Sequence, residues 1–256
     1  MINCGRSRPR LDIPVAPSQA QSTSGNRQRR ATSSASAVPL QRLPDYEFQP
    51  PLLRKRLAVF VSGGGSNLKA IQAAFQAGAI RGDLAAVVSD RPGCGGWQFA
   101  ESLQIPTIAF PGDDPANLPR TLDEVHGVDC VALAGFLKLI PVELVQHFRR
   151  AIINIHPGLL PAFGGKGLYG QRVHKAVVAS GARFTGATVH FCDENYDTGP
   201  ILSQSIVPVH PEDTPAQVAA KVLQTEHLLL PAAISALMDG RIAWRADGIP
   251  VLLEAR

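Results

Sequence analysis

From Leu57 onward the chain alternates short apolar runs with longer stretches whose apolar residues recur every three or four positions. The run "LAVFV" (57–61) stops at a cluster of glycines and predicts a buried parallel strand. "SNLKAIQAAFQAG" (66–78) places Leu68, Ile71, Ala74 and Phe75 at helical spacing, with Gly78 as its stop. Further strands are predicted at 84–89, 107–110, 129–135 and 151–155, separated by helical patterns around 95–104, 117–125 and 141–149. Strands that alternate with helices in this way build βαβ units, so the expected fold is α/β: a Rossmann-like, doubly wound, mostly parallel sheet.

Past residue 180 the pattern changes. "TGATVHFC" (185–192) and "PILSQSIVPV" (200–209) read as a hairpin-like strand pair joined by "DENYDTG". A long helix follows from Thr214 to Asp239, with Thr214 as N-cap, Pro215 in its first turn and Pro231 as an expected kink. Residues 1–54 show no apolar periodicity and are rich in Ser, Arg and Pro, so they read as a disordered basic extension. The expected organisation is that extension, a catalytic domain over 55–245 and a C-terminal tail over 246–256.

Composition modifies this picture in two places. The formal charge of +4 is carried by residues 1–50, where seven arginines face Asp12, Asp45 and Glu47. The remainder is balanced, so a nucleic-acid partner is not expected despite the basic pI. No run of 18 apolar residues occurs and no membrane span is expected. The cysteines Cys4, Cys94, Cys130 and Cys192 form no C-x-x-C pair, which suits a reducing compartment and suggests no zinc site. The expected location is the cytoplasm. The alternative is a plastid, since an Arg- and Ser-rich, acid-poor N-terminus resembles a transit peptide.

Two features suggest chemistry. "VSGGGSN" (61–67) lies between the first strand and the first helix, but the third glycine of a G-x-G-x-x-G dinucleotide loop is replaced by Leu68. No Lys-Ser/Thr pair follows either, so it is not a P-loop; "GGKG" (164–167) only imitates a fragment of one. What remains is a close-approach loop at a helix N-terminus, suited to one phosphate monoester or to a plain tight turn. The second feature is "IINIHPG" (152–158), where Asn154 and His156 are two apart and share a strand face ahead of Pro157. The carboxyl edge of an open α/β sheet is where ligands bind. An amide beside an imidazole suits the stabilisation of a carbonyl oxygen that gains negative charge. Asp197 is the available charge partner, which would raise the imidazole pKa and favour proton donation. No Ser or Cys is placed as a nucleophile, so direct transfer between two bound substrates is favoured over an acyl-enzyme. Of the remaining histidines, His190 reads as structural, His174 as solvated, and His227 as a minor candidate beside Glu226. His126, His147 and His210 have no supporting context.

"VSGGGSNL", "LAGFLKLI", "NIHPGLLPAF", "GATVHF", "YDTGPIL" and "TEHLLLP" occur in an order and spacing that resemble the phosphoribosylglycinamide formyltransferase family, folate-dependent enzymes of purine synthesis. The likeness spans about residues 56–245, and "GKGLYGQRVHKAV" resembles its cyanobacterial and plant branch. It implies catalytic roles for Asn154 and His156, with Asp197 tuning the histidine. It further implies that Gly65, Ser66 and Asn67 hold the phosphate of glycinamide ribonucleotide and that Glu226 meets the amine end. Leu137, Lys138, Leu139 and Ile140 would line the folate pocket together with Asn154. Lys138 stands where several members have Arg, and Arg120 is the one candidate for a folate-binding Arg. The co-substrate implied is 10-formyltetrahydrofolate, with no metal, in a monomer or homodimer. Rival readings are a formyltetrahydrofolate deformylase, a methionyl-tRNA formyltransferase and a catalytically inactive folate- or nucleotide-binding module. The first lacks its regulatory domain here and the second its C-terminal domain.

Overall fold

A computed structural model describes residues 46–111 and 115–254. Its centre is a seven-stranded sheet made of β2 (Arg56–Val61), β3 (Asp83–Ser89), β4 (Thr107–Ala109), β5 (Cys130–Leu133), β6 (Ile152–His156), β7 (Phe184–Phe191) and β8 (Ile201–Pro208). The spatial order is β4-β3-β2-β5-β6-β7-β8. The first five are parallel, while β7 runs antiparallel to β6 and β8 antiparallel to β7. From β2 the chain winds outward through β3 and β4, then returns to β2's other side with β5. The crevice where the winding reverses lies at the carboxyl ends of β2 and β5, where such sheets bind ligands.

Continuous apolar strands need cover on both faces, and the helices α1 (Ser66–Gln76), α2 (Gly95–Ser102), α4 (Val142–His147), α5 (Gln171–Ser180) and α6 (Pro215–Met238) provide it. Leu57 through Val61 and Ala86 through Val88 have no exposed surface. α6 begins with a complete capping box: the Thr214 hydroxyl accepts the Gln217 N–H, and the Gln217 side chain accepts the Thr214 N–H. The helix runs through Pro231 without a break, because Leu230, Ala233, Ile234 and Leu237 bury the face on either side of it. The pattern at 117–125 is not one helix. It is a three-residue turn, α3 (Leu118–Arg120), followed by a wide turn over Thr121–Val125.

Both margins differ from the sequence reading. Residues 46–54, assigned there to the extension, belong to the folded body: β1 (Glu47–Phe48) pairs antiparallel with β9 (Ile242–Trp244). The side chain of Gln49 accepts the Trp244 indole N–H at 3.0 Å and donates to the Arg150 carbonyl at 3.1 Å. At the other end β10 (Pro250–Leu252) pairs with β9, and Leu253 is buried, so 246–254 is not a loose tail. Strands of two or three residues carry no readable periodicity, which is why neither margin was visible. Residues 1–45 lie outside the described residues.

Candidate active site

A cavity of about 930 Å³ runs along the carboxyl edge from the glycine loop to the end of β6. Gly65 starts α1 with a left-handed backbone, φ 72°, and no side chain caps the helix. A Cβ at Gly65 would sit 2.6 Å from the Cα of Gly96, because the loop is locked against α2 by the Gly96 N–H donating to the Gly63 carbonyl. A Cβ on Gly63 or Gly64 would meet nothing within 4 Å, so their backbone lies open to the cavity. The first-turn N–H groups of α1 have no intrahelical acceptor and lie at the positive end of the helix. Only from Lys69, which donates to the Gly65 carbonyl, does the ladder begin.

Asn67 is buried, and its amide does not point freely at a ligand. It donates to Glu226 Oε2 at 2.7 Å, while its Oδ1 is buried without a partner. Glu226 is only 7% exposed, and burial pushes its carboxyl up, against the opposing pull of the Asn67 bond and the charge of His156. Two residues given separate tasks by sequence, 159 positions apart, are thus one hydrogen-bonded unit.

Leu137 to Ile140 follow β5 and line the same cavity. The Ser62 hydroxyl accepts the Leu137 N–H at 3.0 Å and fixes this segment against the end of β2. Ile140 is buried, whereas Lys138 and Leu139 are exposed at the rim. Arg120 is elsewhere. It is exposed, pairs with Glu124 at 3.2 Å and does not line the cavity.

At the end of β6, Asn154 and His156 both face the cavity, as their two-residue spacing predicts. His156 is 3% exposed; its Nδ1 lies 3.4 Å from Asp197 Oδ2 and its Nε2 2.9 Å from the Phe163 carbonyl. Both neighbours are acceptors, and a neutral imidazole has one N–H for the two. Asp197 reaches inward from a left-handed backbone, φ 58°, and accepts the Gly165 N–H at 2.9 Å. Burial alone would raise its carboxyl. The His156 bond, the His190 ring beside it, the charge of His156 and the Gly165 N–H outweigh that and hold it well below the usual carboxylate range.

Two histidines stand where the sequence did not put them. His190, read as structural, touches the site: its Nε2 is 3.0 Å from Asn154 Nδ2 and 3.6 Å from Asp197 Oδ1. Its position opposite Asn154 in the β6–β7 register could have been found by aligning the two strands. His174, read as solvated, is 5% exposed and lines the cavity, and burial and the charge of His156 lower its pKa. His227 does not line the cavity. Among the described residues no group of three or more His, Cys, Asp or Glu is gathered to hold a metal ion.

The family model for formyl transferases matches residues 55–234. A chloroplastic phosphoribosylglycinamide formyltransferase of Vigna unguiculata is 51% identical over 230 residues, covering 86% of this chain and 72% of the relative. One from Arabidopsis thaliana, also chloroplastic, is 52% identical over 207 residues, covering 78% of this chain and 70% of the relative. The crystal structure of a phosphoribosylglycinamide formyltransferase from Anaplasma phagocytophilum superposes with a TM-score of 0.71 at 32% identity, covering 80% of this chain and 96% of that one.

Proposed function

The chain belongs to the formyl transferase family and, within it, to the phosphoribosylglycinamide formyltransferases, and from that premise we propose that it moves the formyl group of 10-formyltetrahydrofolate to the amine of glycinamide ribonucleotide in purine synthesis. The observation that carries this reading is the meeting of Asn154, His156 and Asp197 at one end of a cavity whose other end is an open glycine loop. The loop at Gly63–Asn67 takes the phosphate through backbone N–H groups and the helix terminus. Glu226, held by Asn67, meets the amine-bearing end of the nucleotide. The folate lies against Leu137–Ile140.

The amine nitrogen attacks the formyl carbon, and the C=O pair moves onto oxygen. An N–H of Asn154 and the Nε2–H of His156 hold that oxyanion, and Asp197 holds the opposite side of the charged imidazole. In the arrangement described here the Nε2 side of His156 faces the Phe163 carbonyl, so substrate entry exchanges that carbonyl for the formyl oxygen. Phe163 sits at φ 57°, a backbone state sparsely populated by residues with a side chain. Collapse of the tetrahedral carbon breaks its bond to the folate nitrogen, which takes a proton as the amine loses one. The chloroplastic location of the two plant relatives favours a plastid over the cytoplasm. Any address in residues 1–45 lies outside the described residues.

The test is to incubate the protein with 10-formyltetrahydrofolate, with and without glycinamide ribonucleotide. Tetrahydrofolate is expected only when the ribonucleotide is present; equal release without it means deformylation, and no release in either tube means a binding module.

A further inference from the structure

We infer that β8 is the pairing edge of a symmetric homodimer: two copies of this chain join antiparallel along Ser203–Val207, with the two-fold axis at Ser205. The inference is independent of the formyl-transfer reading, because the open edge is a property of the sheet alone.

The seven-stranded sheet ends in β4 on one side and in β8 on the other. β4 has three residues, too few to serve as a template, whereas β8 has eight. Long edges are ordinarily blunted by charged side chains, yet β8 reads "ILSQSIVP" and contains none. The smaller sheet does not add a strand to it, since β10 pairs with β9.

The register shows which backbone groups are open. The Val209 N–H donates to the Arg183 carbonyl, and Pro208, opposite Phe184, has no N–H to give. Hydrogen-bonded positions alternate along an antiparallel strand, so Val207, Ser205 and Ser203 turn their backbone groups to β7. Those of Gln204 and Ile206 turn outward, where no strand among the described residues meets them. This open stretch is bounded at equal distance on either side of Ser205. Three residues on, Pro208 removes the next outward N–H. Three residues back, Leu202 is the extra residue of a bulge that interrupts the ladder between Val189 and His190.

A second copy matches this edge group for group. A two-fold axis at Ser205 sets Gln204 opposite the partner's Ile206, and every outward N–H then finds an outward C=O. A strand without charges meets its own copy with no like-charge penalty. Ile206 and Phe184 share one face of the sheet by alternation and are 69% and 60% exposed. Pairing covers this apolar strip.

Sedimentation velocity of the full chain over about 1–300 μM tests the proposal. The interface is small, so a monomer–dimer equilibrium with a dissociation constant on the order of 10 μM is expected. Ile206→Pro deletes one outward N–H per copy without touching the ladder to β7, and should raise that constant about 30-fold. Ser205→Lys and Ser205→Glu each place like charges face to face at the axis. Neither should dimerise alone, and an equimolar mixture of the two should. Recovery in the mixture separates pairing at the axis from damage to the strand. A wild type that stays monomeric over this range overturns the proposal, as does a mixture of the two folded variants that stays monomeric. A dimer that persists in both charged variants separately also overturns it. So does one lost on removing residues 1–45, which would put that extension, not β8, in the contact.

Discussion

The glycine loop after β2 and the polar knot joining β6 to β7 face one cavity and are built by opposite means. In the loop, side chains are absent where a ligand would come, and the available groups are backbone N–H donors that α1 leaves unpaired. In the knot the chemically active groups are side chains, each held by a neighbour: His156 by Asp197 and the Phe163 carbonyl, His190 by the Phe191 carbonyl, Asn154 by His190. Backbone donors bind a fixed charge with little reorganisation and no titration. Side chains can shift protons, which is what the reacting centre needs. The difference assigns binding to the one end and chemistry to the other.

The largest expected effects break the knot. His156→Ala and Asp197→Asn should each lower kcat by roughly 10²- to 10⁴-fold, the range for a positioned acid, with KM for the ribonucleotide little changed in steady-state assays. Loss confined to KM would move the chemistry away from the knot. The Asp197 carboxyl, held low in the folded protein, contributes stability that is present above its unfolded pKa and is lost as pH falls from about 4 toward the lower folded value. Thermal melts should therefore show wild type losing stability more steeply than Asp197→Asn below about pH 4.

The loop is expected to fail differently. Gly65→Ala forces a side chain onto a left-handed backbone and into Gly96, so melting temperature should drop by the equivalent of about 1–3 kcal/mol while ribonucleotide KM rises. Gly64→Ala adds a methyl group in open space and should raise that KM with no change in melting temperature. Identical behaviour of the two variants would show that the loop is only a turn.

Glu226→Gln probes the element between the two regions. Burial raises this carboxyl, so its contribution to stability is full below the unfolded pKa and declines as pH rises through the folded one, the reverse of Asp197. The variant should melt slightly higher than wild type at pH 8 while ribonucleotide KM rises about tenfold, the worth of one hydrogen bond to a charged group. Smallest of all, removing residues 1–45 should leave kcat unchanged, whereas removing 1–54 also takes β1 and the ion pairs of Arg54 with Asp123 and Asp129 and should lower the melting temperature.

The same contrast explains what was legible in the residues alone. Apolar runs alternating with helical spacing disclose the parallel half of the sheet, and the polar pair at 154 and 156 stands out because a buried strand should hold neither. His190 does not stand out. It is the single polar ring in "GATVHF", and on a strand buried on both faces alternation does not say which side a residue serves. His174 was misread because a Lys follows it on the helix, while the helix turns that ring inward. The bond between Asn67 and Glu226 is a long-range contact that no local pattern encodes.

The most direct test of the account is a rapid-quench single turnover with isotopically labelled formyl folate, excess protein and saturating ribonucleotide, followed by intact-protein mass and product analysis. Direct transfer across Asn154, His156 and Asp197 predicts that all label passes to the acceptor amine in one phase, with the protein unlabelled throughout and the phase slowed together in His156→Ala and Asp197→Asn. Label appearing on the protein, or leaving as formate in the presence of the acceptor, would contradict it.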